Sequence, residues 1–199
     1  IPRFYDGDSG QVLVEGRPVQ EYAFDSLRKK IGIVPQKAVL FAGTIRENMR
    51  WQKEDASEEE IWQALATAQA REVVEGKKGG LDGQVTAGGR NFSGGQRQRL
   101  TIARALVSRP EILILDDSAS ALDFATDAAL RRALKEETRG MTVFLVSQRA
   151  AAVRRADRIL VLDDGRMAGW GTHAQLVKNC PVYREICLSQ FSGKEAEQL

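Results

Sequence analysis

The stretch ILILDDSASALD, residues 112–123, sets two aspartates side by side at the end of an apolar run. Four aliphatic residues in a row suit a strand covered on both faces, as in a parallel sheet. In open parallel sheets, ligands bind beyond the carboxyl ends of the strands, which is where Asp116 and Asp117 would sit. A carboxylate pair there can support a hydrated Mg²⁺ and orient a water, as phosphoryl transfer requires. It can equally do no more than open a turn and cap the next helix. On these residues alone both readings stand.

Working outward, TVFLVS (142–147) and RILVLDDG (158–165) are two further apolar runs, separated by helical patterns near 124–138 and 149–155. Strands alternating with helices imply crossover connections and a parallel sheet, so the C-terminal two-thirds reads as α/β. Upstream, KKIGIVPQ carries a short strand stopped by Pro35, and GQVLVEGRPV alternates like a strand between glycines. SEEEIWQALATAQA (57–70) opens with a Ser cap and an acidic first turn and puts Ile61, Leu65 and Ala68 on one helix face. The glycine-rich piece before Gln96 has no periodicity and reads as loop, after which residues 96–107 return to helix with Leu100, Ala103 and Leu106 in register. Residues 44–107 form a helix-rich stretch that reads as a lobe within a single domain, with 1–43 and 108–199 as the remaining core.

A net charge of +2, from 29 basic and 27 acidic residues, gives no ground for nucleic acid as the main partner. No apolar run nears the roughly 18 residues of a membrane span, and the N-terminus has no signal-peptide pattern, so the chain reads as soluble and cytosolic. It begins with Ile1, in IPRFYD, which reads as helical and as the start of a fragment. One histidine, His173, behind the predicted cap Thr172, argues against a multi-histidine metal centre. Cys180 and Cys187, if on one C-terminal helix, lie about two turns apart, beyond the reach of a disulfide.

The second candidate is NFSGGQRQRL, where Ser93, Gly94 and Gly95 precede a helix whose free N–H groups and dipole favour an anion. A Gly-Gly helix entry is weak evidence by itself. However, FSGGQ followed by RQRLTIARAL, ILILDD, SALD and VSQR, in this order and spacing, resembles the nucleotide-binding domain of ABC transporters over essentially the whole chain. The resemblance implies a P-loop NTPase-like (RecA-like) parallel sheet with a helical signature subdomain, ATP and Mg²⁺ as cofactors, and ATP hydrolysis coupled to transport. By the same resemblance Ser93, Gly94, Gly95 and Gln96 form the signature, which contacts the ATP held by the opposite subunit. Asp116 supports Mg²⁺ at the end of Walker B, and Gln36 in GIVPQ is the Q-loop glutamine linking Mg²⁺ and water to the transmembrane domain. Ser120–Asp123 match the D-loop, which crosses the dimer interface. VLFAGTIRENM resembles the segment where exporter coupling helices dock, and GGRNF lies where exporters carry their X-loop. The implied partners are a second nucleotide-binding domain in a head-to-tail dimer and a transmembrane domain. The implied location is the cytoplasmic face of the cell membrane, with no nucleic acid expected.

Three departures from the family pattern follow. No G-x-x-x-x-G-K-[ST] occurs in the 199 residues, so the P-loop strand and helix are expected upstream of Ile1, and the chain alone is expected to bind ATP weakly or not at all and to be inactive. Asp117 stands where active members carry a glutamate that polarises water; the shorter arm predicts slow hydrolysis, since about 1 Å of displacement can cost roughly a hundredfold. Gln148 in VSQRA stands in place of the switch histidine and cannot carry an imidazolium charge. Both changes alter one ATP site while the signature is intact, which resembles the degenerate-site half of a heterodimeric exporter. A soluble ABC ATPase acting on ribosomes or DNA, and a non-catalytic interaction domain, are the competing readings.

Overall fold

The computed structural model describes residues 1–118, 121–137 and 139–190, with backbone alone at residue 124. The chain divides into two compact units, Ile1–Phe144 and Leu145–Leu199. The first unit carries, in order, β1 (Leu13–Val14), β2 (Arg17–Pro18), α1 (Phe24–Lys29), β3 (Ile31–Val34), β4 (Gly43–Thr44), α2 (Ile45–Met49), α3 (Glu58–Thr67), α4 (Arg71–Glu75), β5 (Gln84–Val85), α5 (Gly94–Val107), β6 (Ile112–Asp116) and α6 (Phe124–Glu137). β7 (Thr142–Val146) begins in it.

β6 is the central strand of the order β3-β6-β7. Its pairing with β3 is parallel and in register, Ile31 against Ile112 through Val34 against Leu115. Side chains alternate across a strand, so Ile31, Ile33, Ile112 and Ile114 share one face, where they pack with Val14, Val19 and Leu27. The other face buries Val34, Leu113 and Leu115. There α5 comes so close that a Cβ on Gly32 would lie 3.0 Å from the carbonyl oxygen of Ala105.

Helix starts follow their local sequence. Thr44 with Glu47, Ser57 with Glu60 and Ser93 with Gln96 each close a reciprocal capping box, satisfying two otherwise orphaned N–H groups. Ile61 and Leu65 on α3 and Leu100 and Ile102 on α5 are completely buried. Arg46 ties α2 to its surroundings by pairing with Asp82 at 2.8 Å and Glu58 at 2.6 Å.

The second unit carries α7 (Ala150–Val153), β8 (Ile159–Asp163), β9 (Arg166–Gly171), α8 (His173–Asn179) and α9 (Pro181–Gln190). β8 and β9 pair antiparallel around Asp164–Gly165, whose φ values of 44° and 74° suit the tight two-residue hairpin turn that Asp-Gly favours. One face of this ribbon buries Ile159 and Val161 against Leu176, Val177, Tyr183 and Cys187. The other presents Leu160, Leu162, Met167 and Trp170 at 48 to 67% exposure.

Four expectations need correction. IPRFYD is not helical: Arg3 has φ 52° and pairs with Asp6 at 2.9 Å, closing a bend that α-helical geometry forbids. GQVLVEGRPV is a hairpin of two two-residue strands rather than one strand, because the chain reverses at Glu15–Gly16. RILVLDDG joins no parallel sheet among the described residues; its β8 pairs with β9 instead. Cys180 caps the end of α8 while Cys187 lies in α9, so the two thiols occupy different helices, both buried and free. β7 has an apolar sequence, yet Val143, Phe144 and Val146 are 41, 42 and 53% exposed, because no element among the described residues covers those side chains. Among the described residues no helix is long and apolar enough to cross a membrane.

Candidate functional site

The first turn of α5 is the best-defined feature. Ser93 Oγ accepts from Gln96 N at 3.2 Å and Gln96 Oε1 accepts from Ser93 N at 3.0 Å, so each signature side chain is engaged with the other residue's backbone N–H. The N–H groups of Gly94 and Gly95 meet no acceptor among the described residues. A 14-residue helix therefore presents two free donors at its positive end, which favours an anion. The two glycines differ: a Cβ on Gly94 would meet nothing within 4 Å, whereas one on Gly95 would lie 3.2 Å from the carbonyl oxygen of Ala121.

Gly94 opens into a cleft of about 400 Å³ that is also lined by Gln36, Lys37, Arg90, Arg97, Gln98 and Ala121. The lining holds three cationic side chains and no carboxylate. Arg97 Nη1 donates to Phe92 O at 2.7 Å, while Lys37 and Arg90 make no ion pair or hydrogen bond among the described residues. Gln98 is 2% exposed, and its Nε2 has no partner among the described residues. Deeper along α5, burial pulls the Arg104 guanidinium below its usual pKa; Nη2 donates to Val39 O at 3.0 Å and the group lies over Phe41, which stacks on Trp51.

Parallel register brings Gln36 and the carboxylate pair to the same end of the sheet. Val34 pairs with Leu115, so both chains leave their strands together, with Gln36 two residues past β3 and Asp116 closing β6. Asp116 is exposed and has no partner among the described residues, and neither it nor Asp117 lines the cleft. Asp117 is half-buried at φ 41°, a left-handed conformation more open to aspartate than to most residues. Among the described residues no three His, Cys, Asp or Glu side chains gather as a metal site. That donor set suits Mg²⁺ arriving with its own waters and phosphates, since this ion needs only one or two carboxylates from the protein.

Asp123 faces its own helix: its Oδ1 accepts from Thr126 N at 2.9 Å and Oδ2 from Thr126 Oγ1 at 2.7 Å, and these bonds hold its carboxyl below the usual range. Capping of the helix after the doublet therefore falls to Asp123. Ser120 of the matched SALD lies outside the described residues. Gln148 belongs to the second unit, with an exposed side chain and a backbone oxygen that accepts from Gln190 Nε2 at 2.8 Å. Gly94 of the signature, Gln36 and Ala121 thus share one cleft, and Asp116 shares a strand end with Gln36. Arg90, Arg97, Gln98 and Ala121 lie in the quoted stretches GGRNF, RQRL and SALD, but sequence alone assigns none of them a place in the cleft, and it does not single out Lys37 at all.

The sequence model of the family described as ABC transporter matches residues 1–120. An uncharacterised ABC transporter ATP-binding protein, YfiB of Bacillus subtilis, is 43% identical over 198 residues, covering 100% of this chain and 34% of that protein. A probable multidrug resistance ABC transporter ATP-binding/permease protein, YheI of the same organism, is 44% identical over 183 residues, covering 92% of this chain and 31% of that one. A bacterial Atm1-family ABC exporter solved with ATP bound superposes with a TM-score of 0.92 at 34% identity, over 97% of this chain and 34% of its own. The chain thus spans about a third of the length of the relatives it matches.

Proposed function

The chain belongs to the ABC transporter family, and from that premise we propose that it is the ATP-binding and hydrolysing domain of an exporter, acting at the cytoplasmic face of a membrane. In this reading residues 1–199 form one ATPase domain, with 44–107 as its helical subdomain. The observation that carries the reading is the open approach to Gly94, whose free backbone donor and the cationic lining share one cleft with Gln36. Similarity to an Atm1-family ABC exporter and to a probable multidrug resistance ABC transporter supports the transport role.

The roles proposed for the side chains follow from their chemistry. Ser93, Gly94, Gly95 and Gln96 offer an anion-binding turn to the ATP of a partner domain in a head-to-tail dimer, with Asp123 holding the start of α6 beside it. Mg²⁺, when bound with ATP, neutralises developing phosphate charge. Asp116 would hold it, and Gln36 would stand beside it. Asp117 would position a water on an arm one carbon shorter than glutamate, and Gln148 would donate a neutral hydrogen bond where a charged one is stronger. These two residues mark a slow site, so the partner domain is proposed to be a different chain whose own site is faster. The 199-residue chain alone, without a phosphate-cradling loop, is proposed to be inactive.

ATPase assays on the full-length parent protein test this. Asp116→Asn should lower turnover at this site by at least about a hundredfold, and the pair Asp117→Glu with Gln148→His should raise it by about tenfold. Brisk hydrolysis by the unmodified full-length chain as a homodimer would sink the slow-site reading.

A further inference from the structure

Gln148 is fixed through its backbone rather than through its side chain. The side chain is exposed and meets no partner among the described residues, while the peptide that follows it is held at both ends. The carbonyl oxygen of that peptide accepts from Gln190 Nε2 at 2.8 Å, and its N–H, which belongs to Arg149, donates to Ser147 Oγ at 3.1 Å. The next N–H, that of Ala150, donates to Gln190 Oε1 at 2.8 Å. We propose that Gln190, the last residue of α9, is a positioning residue that aims Gln148 at the nucleotide. This inference rests on reading Gln148 as a donor to the terminal phosphate of ATP.

The local sequence explains why an outside partner is needed. The cap position of α7 is Arg149, which has no side-chain oxygen and makes no capping bond, so the N–H of Ala150 would otherwise be one of the helix's orphans. A primary amide carries a donor and an acceptor in one plane, and Gln190 uses both on the two groups that flank the extended Arg149, as a neighbouring strand would. Turning the peptide after Gln148 would break a bond at each of its ends. The direction in which the Gln148 side chain leaves the loop is therefore set. Gln190 in turn continues the face of α9 that carries Tyr183 and Cys187, and both of these are buried in the same cluster as Ala150. The holder and the held loop stand on one core.

A purely structural role for Gln190 would need only half of this arrangement. Capping α7 takes the acceptor Oε1 alone; the donor Nε2 is committed to the carbonyl of Gln148, which no helix end requires. A neutral hydrogen bond to a phosphate contributes modestly, so the cost of ordering its donor decides how much of it survives. Holding the backbone beforehand removes part of that cost and leaves the side-chain amide of Gln148 free.

The test uses the full-length protein and compares Gln148→Ala, Gln190→Met, Gln190→Glu and Gln148→Ala combined with Gln190→Met. Photolabelling of this chain by an azido-ADP probe, competed with a non-hydrolysable ATP analogue and with ADP, reads how strongly its own site prefers the terminal phosphate. Hydrogen exchange at the Ala150 N–H reads the cap. Gln148→Ala should lower the preference by about threefold, Gln190→Met by nearly as much, and the combined variant no further than Gln148→Ala alone. Gln190→Met should also speed exchange at Ala150 by about tenfold or more. Gln190→Glu keeps the acceptor and loses the donor, so it should lower the preference as Gln190→Met does while Ala150 stays slow to exchange. Where Gln148→Ala lowers the preference, an unaltered preference in Gln190→Met or Gln190→Glu, or losses that multiply in the combined variant, would overturn the proposal. The phosphate reading fails separately: an unaltered preference in Gln148→Ala would remove it and the aim of the clamp with it, while faster Ala150 exchange in Gln190→Met would still support the clamp itself.

Discussion

The two units bury similar apolar strands in different ways. In the first, β6 has its isoleucines packed toward the N-terminal hairpin and α1 and its leucines toward α5, so both faces of the strand are in contact with protein. In the second, the β8–β9 ribbon covers one face with α8 and α9 and leaves Leu160, Leu162, Met167 and Trp170 on the other. Apolar sequence alone therefore does not decide burial; the neighbours available to each face do. A rigid, doubly covered strand is also the better support for a carboxylate pair that must hold its geometry, which is why Asp116 on β6 is better placed for chemistry than Asp163 on β8.

Two leucines, one from each of these strands, sharpen the contrast most. Leu113 is completely buried and Leu162 is 62% exposed. Leu113→Ala should cost about 2–5 kcal/mol, the transfer term plus the cavity left in a packed core. Leu162→Ala should stay within about 0.5 kcal/mol. Urea unfolding of the chain, compared at constant slope, measures both. Similar losses at the two positions would break the comparison.

The first unit was largely readable in sequence because its signals are local. Ser57 and Ser93 each stand three residues before a Glu or Gln, and the apolar spacing of α3 and α5 follows at once. β3 ends where Pro35 ends it. What stayed hidden depends on distant approach. β9 reads RMAGWG, with two glycines and no alternation, and becomes a strand only because β8 lies beside it. The site was hidden for the same reason: Gln36 meets Gly94 across the cleft and shares an edge with Asp116 through the Val34–Leu115 register, and no window of neighbouring residues contains either approach. The motif residues were legible, while neighbours such as Lys37 and Gln98 acquire their places in the cleft only from packing.

A smaller effect separates the units by their buried polar groups. Gln98 in the first unit has a buried, unpartnered Nε2, whereas His173 in the second is 3.0 Å from the Tyr183 hydroxyl through its Nδ1. An unmade hydrogen bond of this kind costs about 1–3 kcal/mol. Gln98→Met, which keeps the length of the side chain and removes the orphan donor, should raise stability by about 1 kcal/mol in the same urea experiment. A loss instead would mean that the amide has a partner in solution.

The smallest expected effect concerns acid, and it should appear in the second unit alone. Burial lowers the pKa of His173, and the charge of Arg154 lowers it further, so the neutral ring is the form that α8 and α9 are built around. As a neutral acceptor, Nδ1 can take the hydrogen of Tyr183, whose own ionisation is pushed up by burial beside Cys187. The unfolded chain binds a proton at this position near the ordinary histidine value of about 6.5, and the folded chain does so only at lower pH. Below about 6.5 the unfolded state therefore holds more protons, and stability must fall as pH falls through the folded value. Above it the contribution is fully present. Trp170, the one tryptophan of the second unit, reports this unit alone once Trp51 and Trp62 are replaced by Phe. Its urea midpoint should decline between about pH 6.5 and 5, and His173→Gln, which can accept from Tyr183 without titrating, should flatten the decline. If the decline persists in His173→Gln, another group of the second unit carries it, and the neutral histidine is not what its two helices are packed around.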